Sequence, residues 1–327
     1  RNLCKAFICT LGCGLAINAS LQVYPVFASP LTKQATEISC GQNVRMEEIP
    51  VSLLEEGTQI DGVESRANGN AIEYQVADSG AFADLLSGSV DGNWSGGCYN
   101  GTDDVTICLD ADIVTDQSGI SMSQENVTLT LDLNGHRFQS SNDTFEIKSR
   151  SADGSLRKVN TVIIQNGTID GTGLDFSGGL DSAVIQSVGI VNCNGTALNY
   201  DNNPSLKIFD CTFSHTGAAN GDTGIVCSHS GREFDIQNVV IRGFHTGIDA
   251  GYTSGGQKGV LNRITITGAF LGMDLSSCRS DIRVQDSSIT GTGEAGSQGI
   301  YIFYGTGRYN LSDFLNGAAN VDQVVID

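Results

Sequence analysis

FDIQNVVIRGFHTGIDAG, residues 234–251, alternates apolar and polar side chains, slips phase at Asn238, resumes to Ile241, and breaks again at Gly243 before a short run led by Thr246-Gly247. Alternation with a period of two puts one face of a strand on a core and leaves the other face polar. At the phase slip, a short polar side chain such as that of Asn238 tolerates a left-handed backbone or hydrogen-bonds to it. The stretch therefore predicts two strands around a tight bend and, after a loop, a third strand led by glycine.

The same phrase recurs on both sides. Upstream stand VIIQNGTI (162–169), VIQSVGI (184–190) and LKIFDCTF (206–213); downstream stand GVLNRITI (259–266) and IRVQDSSI (282–289). Gly-led partners are GTALNY (195–200), TGIVCS (223–228), LGMDLS (271–276) and QGIYIF (298–303). Aligned on Ile169, Ile190, Phe213, Ile241, Ile266 and Ile289, the copies lie 21, 23, 28, 25 and 23 residues apart. A nearly fixed period with its jitter in the loops marks stacked coils. The predicted inward columns are Ile164, Ile185, Ile208, Ile236, Leu261 and Val284 on the first strand, the six aligned residues on the second, and Leu198, Ile225, Ile248, Met273 and Ile300 on the third. Asn166, Asp210, Asn238 and Asp286 recur at the bend. No ten-residue amphipathic helix fits between the strands, which excludes βαβ units, and the period is too short for four-stranded propeller blades. The predicted fold is all-β, a single-stranded parallel β-helix with three sheets.

This pattern resembles the right-handed parallel β-helix superfamily, the pectate-lyase-like group of polysaccharide lyases, polygalacturonases, epimerases, tailspikes and secreted repeat proteins. The resemblance covers residues 78–315, and LDLNGHRF (131–138) is similar to the opening-rung text of such proteins. It implies a right-handed coil and a glycan laid along the outward face of one sheet.

Residues 1–28 open on Arg1 and Lys5, run on largely apolar, and end Val26-Phe27-Ala28, the pattern of a secretory signal peptide cleaved before Ser29. Asn18, Gln22 and Pro25 interrupt the run and argue against a membrane span. The expected location is outside the cytoplasm: extracellular, periplasmic or at the cell surface. Residues 29–77 lack a period and read as a loosely structured N-terminal extension. From 78 to 327 the chain reads as the β-helix domain, with Asp78 capping a short helix over AFADLL (81–86) that Gly88 ends and that covers the first coil.

Seven cysteines follow the signal, an odd number. Cys98 and Cys108 flank a polar loop and form the expected disulfide, while Cys211 and Cys227 fall on inward columns as small apolar fillers. No CxxC occurs, and no histidine stands at ligand spacing to a cysteine, so no protein-bound metal is expected from them. With 37 acidic against 18 basic residues the formal net charge is −19. Such a surface repels nucleic acid, which needs phosphate-neutralising Lys and Arg.

Candidate chemistry sits on the outward column of the Gly-led strands: Asn199, Val226, Asp249, Asp274 and Tyr301. Stacked rungs lie ~4.8 Å apart, so Asp249 and Asp274 become neighbours, an arrangement suited to acid–base work on a glycosidic bond. The alternatives are solvated strand residues or a Ca²⁺ site shared with loop carbonyls. Asp222, in GDTGIVC, loosely resembles the paired-Asp strand of polygalacturonases, although Thr223 replaces the second Asp and no Gly-His-Gly follows. His245 completes the candidate catalytic set, with Arg242, Tyr301 and Asn199 as substrate-binding residues. Lys258, Arg263 and Arg283 are the candidate bases for a lyase. The partner expected is a polysaccharide or cell-surface glycan, bound and, if the chain is an enzyme, cleaved as by a polysaccharide lyase or glycoside hydrolase; the other reading is a non-catalytic surface or adhesive solenoid.

Overall fold

The computed structural model describes residues 63–67, 71–150, 160–200, 203–215, 221–228, 233–251, 258–276, 281–302, 308–310 and 323–326. The expected signal peptide, most of the extension, Cys40 and Cys278 lie outside them. The chain forms a parallel β-solenoid in which every copy of the phrase is one coil.

One sheet runs from Val63–Ala67 through Ala71–Val76, Asp104–Leu109 and Thr128–Asp132 to the repeats Thr161–Asp170, Ser182–Val191, Ser205–Phe209, Glu233–Arg242, Lys258–Ala269 and Asp281–Gln285. A second sheet stacks Gly119–Met122, Thr144–Ser149, Gly173–Gly178 and then the Gly-led strands Leu198–Asn199, Thr223–Val226, Thr246–Asp249, Leu271–Asp274 and Gln298–Ile302. Three faces result, as expected, but the first two are limbs of one bent sheet. Strands such as Glu233–Arg242 pass the bend unbroken, because a single residue absorbs it while its flanks stay paired: Gln237 with Asn262 and Val239 with Ile264.

That residue is left-handed in each of the six repeats: Asn166, Ser187, Asp210, Asn238, Arg263 and Asp286 have φ between 47° and 61°. Asn and Asp adopt this region readily, whereas Ser187 and Arg263 do so against their intrinsic preference. Side-chain amides tie the coils together here and beside it. Asn166 and Gln165 donate to Asp132, Asn192 to Asp170 at 2.9 Å, Asn199 to Asp175 at 3.3 Å, and Asn238 to Asp210. In each pair the amide belongs to the coil after the carboxylate.

All three predicted inward columns are buried, each member no more than 1% exposed. At about 1.5–3 kcal/mol per fully buried aliphatic side chain, these stacked columns are the main support of the coil. The second residue of each Gly-led strand is forced by close approach. A Cβ on Gly224, Gly247 or Gly272 would stand 2.4–2.6 Å from the carbonyl oxygen of Gly247, Gly272 or Gly299 in the next coil.

The helix Ser79–Ser87 forms as its caps predict: Asp78 accepts from the Ala81 N–H at 2.9 Å, and Gly88 ends it at φ 89°. Phe82 faces inward against Phe138, ring centres 5.6 Å apart. Ordered sheet nevertheless begins upstream of residue 78, correcting the loosely structured extension. Ala71–Val76 pairs in parallel with Asp104–Leu109, and Tyr74 and Val76 are fully buried. The helix thus interrupts the solenoid after its first coil. Periodicity missed that strand because it has no sequence neighbour written in the same phrase.

The Cys98–Cys108 disulfide is also overturned. Cys98 is a free thiol on the Gly-led side, whereas Cys108 lies on the first limb and is disulfide-bonded, but not to Cys98. The loop between them joins two different sheets, so nearness in sequence does not bring the sulfurs together. Cys211 and Cys227 are buried and form no disulfide, as expected of apolar fillers.

Candidate functional site

The outer face of the Gly-led sheet carries the predicted column in register. Asn199 pairs with Val226, Val226 with Asp249, Asp249 with Asp274 and Asp274 with Tyr301 as Cα partners on successive strands. The column extends further than the sequence reading reached, since Asn199 pairs with Asp175 and Asp175 with Glu146. Gly173-Leu174-Asp175 has the same form as Gly247-Ile248-Asp249, and that likeness was the available signal. Most of its members are half-exposed, while the residues between them, such as Leu174, Leu198, Ile248 and Met273, are buried.

Each acidic residue here has a local partner. Asp249 accepts the N–H of Gly251, and Asp274 that of Ser276, both at 2.9 Å through Oδ1. A carboxylate bonded to the backbone two residues ahead forms an Asx-turn and steers the chain out of the strand. Asp175 receives the Asn199 amide, and Glu146 pairs with Lys148 on its own strand.

The remaining candidates are not brought to this column. Asp222 stands at the corner before Thr223, and His245 stands at the corner of the next coil with its ring stacked on Phe270, centroids 5.1 Å apart. Arg242 ends the second limb, in register with Ser214 and Thr267, on a face of hydroxyl residues. Lys258 and Arg283 lie on the first limb and Arg263 at its bend. None of the three candidate bases therefore faces the Asp249–Asp274 pair.

His215, absent from the predicted set, is the partner of Asp222. Its Nε2 lies 3.2 Å from Asp222 Oδ2, both side chains are about nine-tenths buried, and its ring meets Phe244 edge to face. The two residues stand seven positions apart in sequence, so their pairing was visible there only as proximity. Nearby, burial pushes the Cys193 thiol from its ordinary 9.0 up to about 11, and the charge of Asp222 adds to the effect. A thiol so raised is no nucleophile at neutral pH.

A shallow groove of about 280 Å³ opens elsewhere, on the first limb among Lys207, Glu233, Asp235, Lys258 and Val260. Its Lys258–Glu233 pair spans 3.5 Å with both side chains exposed, a contact worth at most about 1 kcal/mol. The charges there are mutually balanced and far in register from the acidic column. As for calcium, it takes six to eight oxygens, and among the described residues no three His, Cys, Asp or Glu side chains gather to hold a metal. Among the described residues no helix is long and apolar enough to cross a membrane. No protein-family model, curated protein or solved structure matches the chain.

Proposed function

We propose that this chain is a secreted, pectate-lyase-like β-helix protein that binds a polysaccharide along the outer face of its Gly-led sheet. The reading rests on one observation: Glu146, Asp175, Asn199, Val226, Asp249, Asp274 and Tyr301 stand in a single column, one per coil, across the face of that sheet, and all but Val226 carry a polar group. A polymer of repeating units is met by a site that repeats, with a step of ~4.8 Å per rung. Carboxylates and amides hydrogen-bond sugar hydroxyls, and a tyrosine offers an apolar ring face with a polar tip. The acidic column favours a neutral glycan over a polyuronate, which it repels. Export through the 1–28 leader belongs to the proposal, and exported material is expected to begin at Ser29 by mass spectrometry.

Cleavage is the second reading, favoured by the adjacency of Asp249 and Asp274. Each commits Oδ1 to its turn; in a retaining glycosidase one carboxyl protonates the leaving oxygen while the other attacks the anomeric carbon. Titrating the purified chain against a panel of neutral and acidic polysaccharides, with reducing ends and unsaturated products followed in parallel, tests both. Binding of a neutral glycan that weakens at least about tenfold, or about 1.4 kcal/mol, in Asp249→Asn/Asp274→Asn, with the melting temperature held, is expected. Absence of binding across the panel, or binding indifferent to the double substitution, would leave a non-catalytic adhesive solenoid that uses another face.

A further inference from the structure

Four Asn-Gly pairs lie wholly within the described residues: 100–101, 134–135, 166–167 and 194–195. Glycine has no Cβ to shield its backbone nitrogen, so this dipeptide can cyclise. The glycine nitrogen attacks the asparagine side-chain carbonyl carbon and gives up its proton; the bond to Nδ2 breaks and ammonia leaves with that proton. Water then opens the resulting imide at either carbonyl, giving aspartate or isoaspartate. No electrons are exchanged with an outside partner, and water is the sole co-reactant.

The fold guards three of the four pairs. Asn134 and Asn166 are held left-handed at φ 49° and 61°, and the Asn134 amide donates to the Leu109 carbonyl at 3.0 Å. The Gly135 N–H is given to the Asn166 carbonyl at 2.6 Å, while Gly167 is walled in by Leu133 and the His136 carbonyl. Asn100 uses both ends of its amide, donating to the Cys98 carbonyl at 3.2 Å and accepting from Ser123 Oγ at 2.8 Å, with Gly101 against the Tyr99 ring.

Asn194 combines openings that the other pairs have only in part, for Asn100 is also exposed and outside the left-handed region and Gly135 is equally open at its Cβ position. Asn194 is exposed and outside the left-handed region; among the described residues its amide reaches Asp143 Oδ1 alone, at 3.3 Å, and nothing stands within 4 Å of the Cβ position of Gly195. We propose that Asn194–Gly195 is a deamidation site that the fold leaves open while closing the others. The product replaces a donor facing Asp143 with a second carboxylate. It does so on the turn leading into Leu198–Asn199, a strand of only two residues, and so loosens the coil whose Asn199 holds Asp175.

Folded chain held in mildly alkaline buffer and mapped peptide by peptide tests this. Acid and isoaspartate are expected at Asn194 while Asn100, Asn134 and Asn166 remain amides; in urea-unfolded chain all four convert together. Conversion of Asn134 or Asn166 in the folded chain as early as Asn194, or an intact Asn194 where the unfolded chain reacts, overturns the proposal. Asn194→Asp is expected to melt below Asn194→Ser, and equal melting would overturn the clash with Asp143.

Discussion

Ile241 and Thr267 stand on neighbouring strands, one with its side chain fully buried and the other on the outer face beside Arg242. Ile241→Asp buries a carboxylate without a partner and should cost more than about 3 kcal/mol in chemical denaturation. Thr267→Asp gains a neighbouring guanidinium and should change stability by about 0.5 kcal/mol or less. This contrast was legible in the sequence, since a period of two fixes which side chains face the core. Cys211 and Cys227 were legible as inward fillers, but Cys193 was not, because nothing in the period marks its packing depth. Burial raises Cys193 and Cys211 from 9.0 to about 11. In the unfolded chain these thiols ionise at lower pH than in the native coil. Their contribution to stability is therefore complete below about pH 9 and is lost as pH rises toward 11. Stability of the wild type should fall across that window, and a Cys193→Ala/Cys211→Ala variant should fall less steeply. An alkylating reagent at neutral pH should mark Cys98 well before Cys193, Cys211 or Cys227, read by peptide mass; simultaneous labelling would mean the coil opens readily.

At the scale of the element, the bend is the feature with most to test. Arg263 holds φ 56° with its side chain exposed, a conformation that costs a residue with a Cβ about 1–2 kcal/mol and glycine little. Arg263→Gly should raise unfolding stability despite the greater chain entropy of glycine, whereas Asn238→Ala, which also removes the bond to Asp210, should lower it by about 1–2 kcal/mol. The bends at Asn166, Asp210, Asn238 and Asp286 could be read from residue type. Ser187 and Arg263 are legible only by their place in the period, for neither side chain favours that backbone. Thr144–Ser149 and Gly173–Gly178 escaped because each has a single buried alternation and no second strand of the phrase beside it. The helix was legible from its caps, and Phe82→Ala should cost about 3–5 kcal/mol, the core at Phe138 losing its cover.

For the molecule as a whole, one coil is interchangeable with the next. Ser182 is the Cα partner of Ser205, and Leu174 of Leu198, which in turn pairs with Ile225. Excising Ser182–Pro204 should therefore leave a folded, shorter solenoid whose urea m-value falls in proportion to the surface removed. Excising half as much should give an unfolded chain by circular dichroism. The architecture was readable because repetition multiplies a weak local signal. The candidate site was readable only as a column, since Asp222, His215 and His245 are set by loops and corners that obey no period. The amide ladder carries one more consequence. Because Asn166, Asn192, Asn199 and Asn238 each reach back to a carboxylate of the coil before, the donors always follow their acceptors in the order of synthesis. A nascent chain emerges N-terminus first, so each of these four turns, as it is completed at the exit of the ribosome, muffles a charge of the turn already laid down. A chain stalled partway would show a single fresh row of carboxylates at its growing edge, waiting for amides not yet made.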